Sequence, residues 1–184
     1  MEDYVEVVAD VDIPIALFTS DGDITCKKLT SILDGSSSGS TDDYFFNWFD
    51  EDGNLVSEDT IFETDEAGVY SVQIESKSNN CKSGLEAVVV QELINEPTAI
   101  IYAEPSDVID CVIETIILTT DEEENVDYVW SVNGVSVTNT LEIEISEIGT
   151  YGLMAIDTIT GCSGDADIVI SSLVDYPNIS LEGD

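Results

Sequence analysis

The 184-residue chain runs through the same residue pattern twice. Cys26 and Cys111 are each followed, seven positions later, by a leucine behind an isoleucine, Ile32-Leu33 and Ile117-Leu118. A polar loop comes next, then a tryptophan in an aromatic run, Phe46-Asn47-Trp48 and Tyr128-Val129-Trp130. Glu66-Ala67-Gly68-Val69-Tyr70 is answered by Glu147-Ile148-Gly149-Thr150-Tyr151, and thirteen residues after each of these glycines stands a second cysteine, Cys81 and Cys162. The first cysteines lie 85 positions apart and the second ones 81, the drift that short loop deletions produce. A period of this size, with its own tryptophan, tyrosine and apolar set, makes each repeat a small domain with a core of its own.

The flanks obey the same ruler. Pro14, Pro97 and Pro177 recur at spacings of 83 and 80, each before a short strand-like run. Residues 1–12 therefore read as the last strand of a preceding repeat, 13–95 as repeat one, 96–176 as repeat two, and 177–184 as the first strand of a following repeat. The expectation is a piece of a longer array, or a subunit that completes its neighbours in a polymer by sharing strands.

Local patterning is β throughout. Leu141-Glu142-Ile143-Glu144-Ile145 alternates strictly, which puts apolar residues on one face and carboxylates on the other. Asp52-Gly53 and Asn133-Gly134 stand at matching positions and fit type I′ hairpins. Gly35-Ser36-Ser37-Ser38-Gly39-Ser40 reads as a polar, flexible loop, and no window keeps a helical period. Seven or so short strands in about 80 residues, with a tryptophan on a middle strand, predict an all-β chain of tandem immunoglobulin-like β-sandwiches.

Composition then excludes whole classes of activity. Hydrophobic residues make up 43%, enough for packed cores, but 40 acidic side chains face four lysines and leave a net charge of −36. Such a surface repels phosphate, so neither nucleic acid nor an anionic membrane is a partner. The apolar runs are only a few residues long, so membrane insertion is not expected. No basic and apolar leader opens the chain, so any export signal is expected to be removed or to lie outside this segment. Histidine is absent, which removes Ser–His and Cys–His nucleophile pairs and the usual metal ligand. There is no Gly-rich phosphate loop, and the cysteines are too widely spaced for a zinc motif. Carboxylate pairs alone could serve glycoside chemistry, yet 40 acids make that pairing uninformative. The chain reads as no enzyme.

These residues resemble the PKD-type and immunoglobulin-like repeats of bacterial cell-surface adhesins and secreted multidomain proteins. The resemblance rests on Cys26 leading to Leu33-Asp34-Gly35-Ser36, on Trp48 followed by Asp52-Gly53-Asn54, on Gly68-Val69-Tyr70, and on Cys81 before a closing valine strand. Repeat two departs from it with Leu118-Thr119-Thr120 and Asn133-Gly134. The resemblance implies a passive or adhesive sandwich strung in tandem on an exported protein, and it specifies fold better than ligand. The cysteines are expected to pair within each repeat, Cys26 with Cys81 and Cys111 with Cys162. Each bridge would close a loop of about 50 residues, worth about 4 kcal/mol in the chain-entropy view, in an oxidising compartment. The second cysteine lies eleven residues after the tyrosine rather than two, so Cys81 and Cys162 belong near the start of the last strand.

Two groups of side chains stand out as contact sites. Trp48 and Trp130 belong to the cores, so alternation turns Phe45 and Phe49 outward, towards a neighbouring subunit, a sugar or a covering loop. All four lysines (Lys27, Lys28, Lys77, Lys82) flank the repeat-one cysteines and would cluster at one end of that sandwich. The unbalanced carboxylates call for cations, and calcium is the expected one. One placement is at the junctions, by Asp10, Asp12, Asn95, Glu96 and Asp175, with Glu92 near; diffuse screening by monovalent ions is the alternative. The other is on strand faces, where Glu142/Glu144, Asp165/Asp167 and Glu63/Asp65 stand about 7 Å apart. Asp50-Glu51-Asp52-Gly53-Asn54 resembles a calcium loop but is already accounted for as a turn. The resulting expectation is an extracellular, cell-surface structural or adhesive protein, part of a fibre, filament or adhesin stalk. Its partners would be copies of itself, flanking repeats or surface glycans. A carbohydrate-binding module, or an accessory domain of a secreted hydrolase, is the alternative.

Overall fold

The structure, a computed structural model, describes residues 11–173. The chain divides into two compact units, Met1–Ile94 and Asn95–Asp184. Unit one contains β1 (Thr19–Ser20), β2 (Ile24–Thr25), β3 (Ser31–Asp34), β4 (Tyr44–Phe49), β5 (Leu55–Ser57), β6 (Ile61–Thr64), β7 (Gly68–Ser76), β8 (Glu86–Val90) and β9 (Glu92–Leu93). Its only helical piece among the described residues is a three-residue 3-10 turn, Ser36–Ser38. Strands β1-β3-β6 form one sheet and β5-β4-β7-β8 the other. After one intervening residue, Gln91, β9 pairs in parallel with β2, Ile24↔Glu92 and Thr25↔Leu93. Ile24 N donates to Gln91 O at 2.9 Å, and Gln91 N to Asp23 Oδ1 at 2.9 Å. The first segment of the unit is thus divided: β1 pairs with β3, and β2 forms a separate two-stranded pair with β9.

Unit two repeats the plan with β10 (Tyr102–Glu104), β11 (Val108–Ile109), β12 (Ile116–Thr119), β13 (Val126–Val132), β14 (Val135–Thr138), β15 (Glu142–Ile145), β16 (Gly149–Asp157) and β17 (Ser163–Ser172). Strands β10-β12-β15 make the smaller sheet and β11-β17-β16-β13-β14 the larger. Here β17 runs without a break, so the parallel pairs Val108↔Ser171 and Ile109↔Ser172 fall within one sheet.

Period-two burial builds both cores. In β7 every second residue from Tyr70 to Ser76 is buried, and in β4 Phe46 and Trp48 are buried while their neighbours are not. Leu33 of the first sheet meets Phe46, Trp48, Tyr70, Val72 and Ile74 of the second in one cluster. Leu118, Tyr128, Trp130, Tyr151 and Leu153 do the same in unit two. Each indole hydrogen is satisfied, Trp48 Nε1 donating to Asp59 O at 2.9 Å and Trp130 Nε1 to Thr140 O at 2.8 Å. In unit one Phe18 and Phe62 flank Trp48 with ring centroids at 5.9 and 6.0 Å. Tyr70 and Tyr151 close each corner by donating back to the carbonyls of Glu66 and Glu147. Each unit is an immunoglobulin-like sandwich.

One local expectation changes. Asn133 and Gly134 both adopt positive φ, 48° and 83°, and join β13 to β14 as a type I′ turn. In the matching loop Gly53 alone is left-handed, at φ 80°, and Asp52 is not. Gly53 N donates to Asp50 O at 3.1 Å and Asp50 N to Asn54 O at 3.0 Å, which is a longer turn whose last residue needs the glycine. The unit boundary falls between Ile94 and Asn95, one residue before the expected 95/96 division. The two flanking-strand expectations, 1–12 and 177–184, fall almost wholly outside the described residues, as do Asp10 and Asp175.

Candidate functional site

The chain passes through each sandwich from one pole to the other. In unit one it arrives beside Asn79, whose Nδ2 donates to Asp12 O at 3.0 Å, and it departs at Leu93 beside Thr25. Those poles are the two ends of β7, since Cys81 O accepts from Ser76 N at 2.9 Å while Gly68 pairs with Val90. Unit two is threaded alike. Gly164, two residues after Cys162, lies against the Pro97 carbonyl at the arriving end, and Leu173 N donates to Ile109 O at the departing end. The arriving end is called the leading pole below and the departing end the trailing pole.

The cysteines sit at these poles and correct the expected pairing. Cys81 and Cys162 occupy leading poles, whereas Cys26 follows β2 and Cys111 follows β11 at trailing poles. Within unit one the two cysteines are separated by the nine residues of β7, about 26 Å. Within unit two the ten residues of β17 separate them by about 30 Å. A disulfide needs Cα atoms within about 7 Å, so neither bridge inside a repeat can form. Cys26 and Cys162 are each in a disulfide-bonded state. Cys81, half-buried, and Cys111, exposed, are free thiols.

The lysines divide between the same two poles instead of clustering at one. Lys27 and Lys28 follow Cys26 at the trailing pole, where Lys28 Nζ binds Asp21 Oδ1 at 2.9 Å and holds that carboxyl below its ordinary pKa. Lys77 and Lys82 bracket Cys81 at the leading pole, with Lys82 Nζ 3.3 Å from Glu75. Beside them an open cleft of about 220 Å³ is lined by Asp12, Pro14, Tyr44, Ser76 and Asn79.

Phe45 is 53% exposed and Phe49 is half-buried, on the face of β4 opposite Phe46 and Trp48. Lys77 Nζ lies 4.6 Å from the centre of the Phe45 ring and also donates to Thr41 O. One face of Phe45 is therefore already covered by a cation.

The carboxylate rows are exposed pairs. Glu142 and Glu144 share the outer face of β15, and Asp165 and Asp167 that of β17. Glu63 and Asp65 do not form a strand row, because β6 ends at the buried Thr64; Glu63 accepts instead from Thr30 Oγ1 at 2.7 Å. Asn95 and Glu96 are exposed at the start of unit two, and Asp12 is exposed at the leading pole of unit one. Among the described residues no group of three or more carboxylate or cysteine side chains converges as a metal would need. Asp50 is committed to its own turn, accepting from Asn54 N at 2.7 Å, Asn54 Nδ2 at 2.9 Å and Asp52 N at 3.0 Å. The Asn54 amide, chiefly, holds the Asp50 carboxyl below the ordinary range.

No family model and no curated protein matches the chain. Among solved structures it is similar to three N-terminal domains of the Highly Immunogenic Outer Capsid protein of bacteriophage RB49, at 13% identity and a TM-score of 0.48, covering 88% of this chain and 59% of that one. An amphioxus IgVJ-C2 molecule follows at 18% identity and 0.35, covering 77% and 96%. A two-domain fibronectin type III segment of chicken tenascin gives 10% and 0.30, covering 86% and 98%. At TM-scores below 0.5 the fold assignment rests on the strand order and registers inside each unit, not on these likenesses.

Proposed function

We propose that the chain is part of an extracellular surface protein, in which immunoglobulin-like modules are strung in series as a fibre, filament or adhesin stalk of the PKD-type kind. The observation that carries this reading is the pole-to-pole threading of both units. A module that receives the chain at one end and releases it at the other transmits length and tension along an array. Disulfide-bonded Cys26 and Cys162 fit an oxidising compartment. Four lysines against 40 acids fit a surface that stays soluble and repels unrelated anionic chains. Calcium enters this reading as a counterion for the rows Glu142/Glu144 and Asp165/Asp167, and strand sharing between subunits enters as the finer mode of assembly. The role itself is mechanical and adhesive, without catalysis.

Immunolabelling of intact and permeabilised source cells tests the reading. Labelling of intact cells is expected; a signal that appears only after permeabilisation overturns it. Sedimentation velocity in calcium tests strand sharing, with species larger than a monomer expected and a lone monomer overturning that mode. Thermal melting with and without chelator at fixed ionic strength tests calcium, since a bound ion raises the midpoint by mass action and screening does not.

A further inference from the structure

Each unit carries one cysteine at its leading pole and one at its trailing pole, about 26 to 30 Å apart, so a unit cannot bridge its own pair. Of the four, one trailing cysteine, Cys26, and one leading cysteine, Cys162, are disulfide-bonded. What remains free is the complementary set, the leading Cys81 of unit one and the trailing Cys111 of unit two. The repeat makes the positions equivalent. Cys81 corresponds to the bonded Cys162, each ahead of the last strand, and Cys111 corresponds to the bonded Cys26, each just after the short strand paired in parallel.

We infer that Cys111 of one copy and Cys81 of a second copy form an intermolecular disulfide that joins the chains trailing pole to leading pole. This rests on the tandem-module reading above and names its joint. Cys111 is exposed and so can reach a partner, and Cys81 is half-buried in the turn that follows β7. Charge favours the same polarity. Lys77 and Lys82 flank Cys81 in sequence, Lys82 already shared with Glu75 and Lys77 beside Asp42 and Asp43, whereas Asp107, Asp110 and Glu114 flank Cys111 in sequence in a unit that has no lysine at all. Meetings of like poles would bring lysine to lysine or acid to acid.

The bond forms in two exchanges that balance. One thiolate attacks a low-molecular-weight disulfide such as oxidised glutathione, forming a mixed disulfide and releasing one thiolate. The partner cysteine then attacks that mixed disulfide, and the second glutathione thiolate leaves. Two protein S–H bonds are lost and one S–S bond is made. The two electrons reduce the oxidant to two thiols, which take up the two protons.

The test uses the full chain in a glutathione redox buffer. Wild-type protein is expected to give a ladder of dimers, trimers and higher species on a non-reducing gel, with Cys81–Cys111 peptides found by mass spectrometry. An equimolar mixture of Cys81→Ser and Cys111→Ser is expected to stop at the dimer, with heterodimers several-fold in excess over either homodimer. Heterodimers no more than the twofold excess over either homodimer that random pairing gives, a bridge inside one chain, or thiols that remain fully alkylatable after the glutathione treatment would each overturn the joint. The gel reads only the joint, and labelling of intact cells reads only location, so failure of one is told apart from failure of the other.

Discussion

The phenol of Tyr151 donates a 2.8 Å hydrogen bond to the main-chain carbonyl of Glu147, the last residue but one before β16. Tyr70 repeats the contact with Glu66 at 3.0 Å and adds a 2.9 Å bond to the buried hydroxyl of Thr64. Both rings are almost fully buried, so the bond pins the corner where one sheet hands the chain to the other. Removing the hydroxyl and keeping the ring should cost about 1 kcal/mol in either unit. Urea unfolding of Tyr151→Phe and Tyr70→Phe should therefore show lower midpoints with unchanged slopes.

Native alkylation should distinguish the cysteines by place. In monomeric chains not yet exposed to the glutathione buffer, two thiols per chain are expected to react without reductant, Cys111 faster than Cys81 because only Cys111 is exposed. Peptide mass spectrometry after brief iodoacetamide treatment checks the order. Labelling at Cys26 or Cys162 would contradict their bonded state.

Asp50 should contribute a stability that depends on pH with a definite sign. Its hydrogen bonds hold the folded-state pKa below the unfolded one. The contribution is therefore complete above the ordinary carboxylate value, near 4, and is lost as pH falls through the lower folded value. The difference in urea midpoint between wild type and Asp50→Ala should be present at neutral pH and should shrink as pH falls below the ordinary carboxylate range.

Two glycines on the larger sheet of unit two should respond differently to a methyl group. A Cβ on Gly152 would meet Ser131 Oγ at 2.6 Å and Asp167 Oδ1 at 2.7 Å, both movable side-chain tips. On Gly164 the same atom would strike the carbonyl oxygen of Pro97, which is main chain. Gly164→Ala should destabilise by about 1–3 kcal/mol and Gly152→Ala by less, as thermal melts of unit two would report.

What could be read from the residues beforehand followed strand periodicity. Leu33, Trp48 and Tyr70 were legible as core because a period of two and a repeated order leave few other roles for them. Asn133-Gly134 was legible because both residues tolerate positive φ. Asp52-Gly53 looked the same, but hydrogen bonds to the Asp50 carboxylate select a longer turn. The cysteine pairing was not legible. Position in sequence does not tell which end of a strand a residue occupies, and the deciding contact, β2 on β9, is two residues long and leaves no pattern. The same ignorance of ends hid the division of the lysines between poles. Phe49 reads as an outward aromatic, yet it is half-buried on the face that also carries Leu85, Ser71 and Gln73.

The parallel contacts of β2 on β9 and of β11 on β17 have a consequence for pulling. A force applied where the chain arrives and departs slides these short strands lengthwise past one another. Ser171 N to Asp107 O, at 3.2 Å, and Leu173 N to Ile109 O, at 3.0 Å, lie across that direction and must rupture together rather than unzip one after another. A patch of only two paired residues in each module is thus the one that tension meets first.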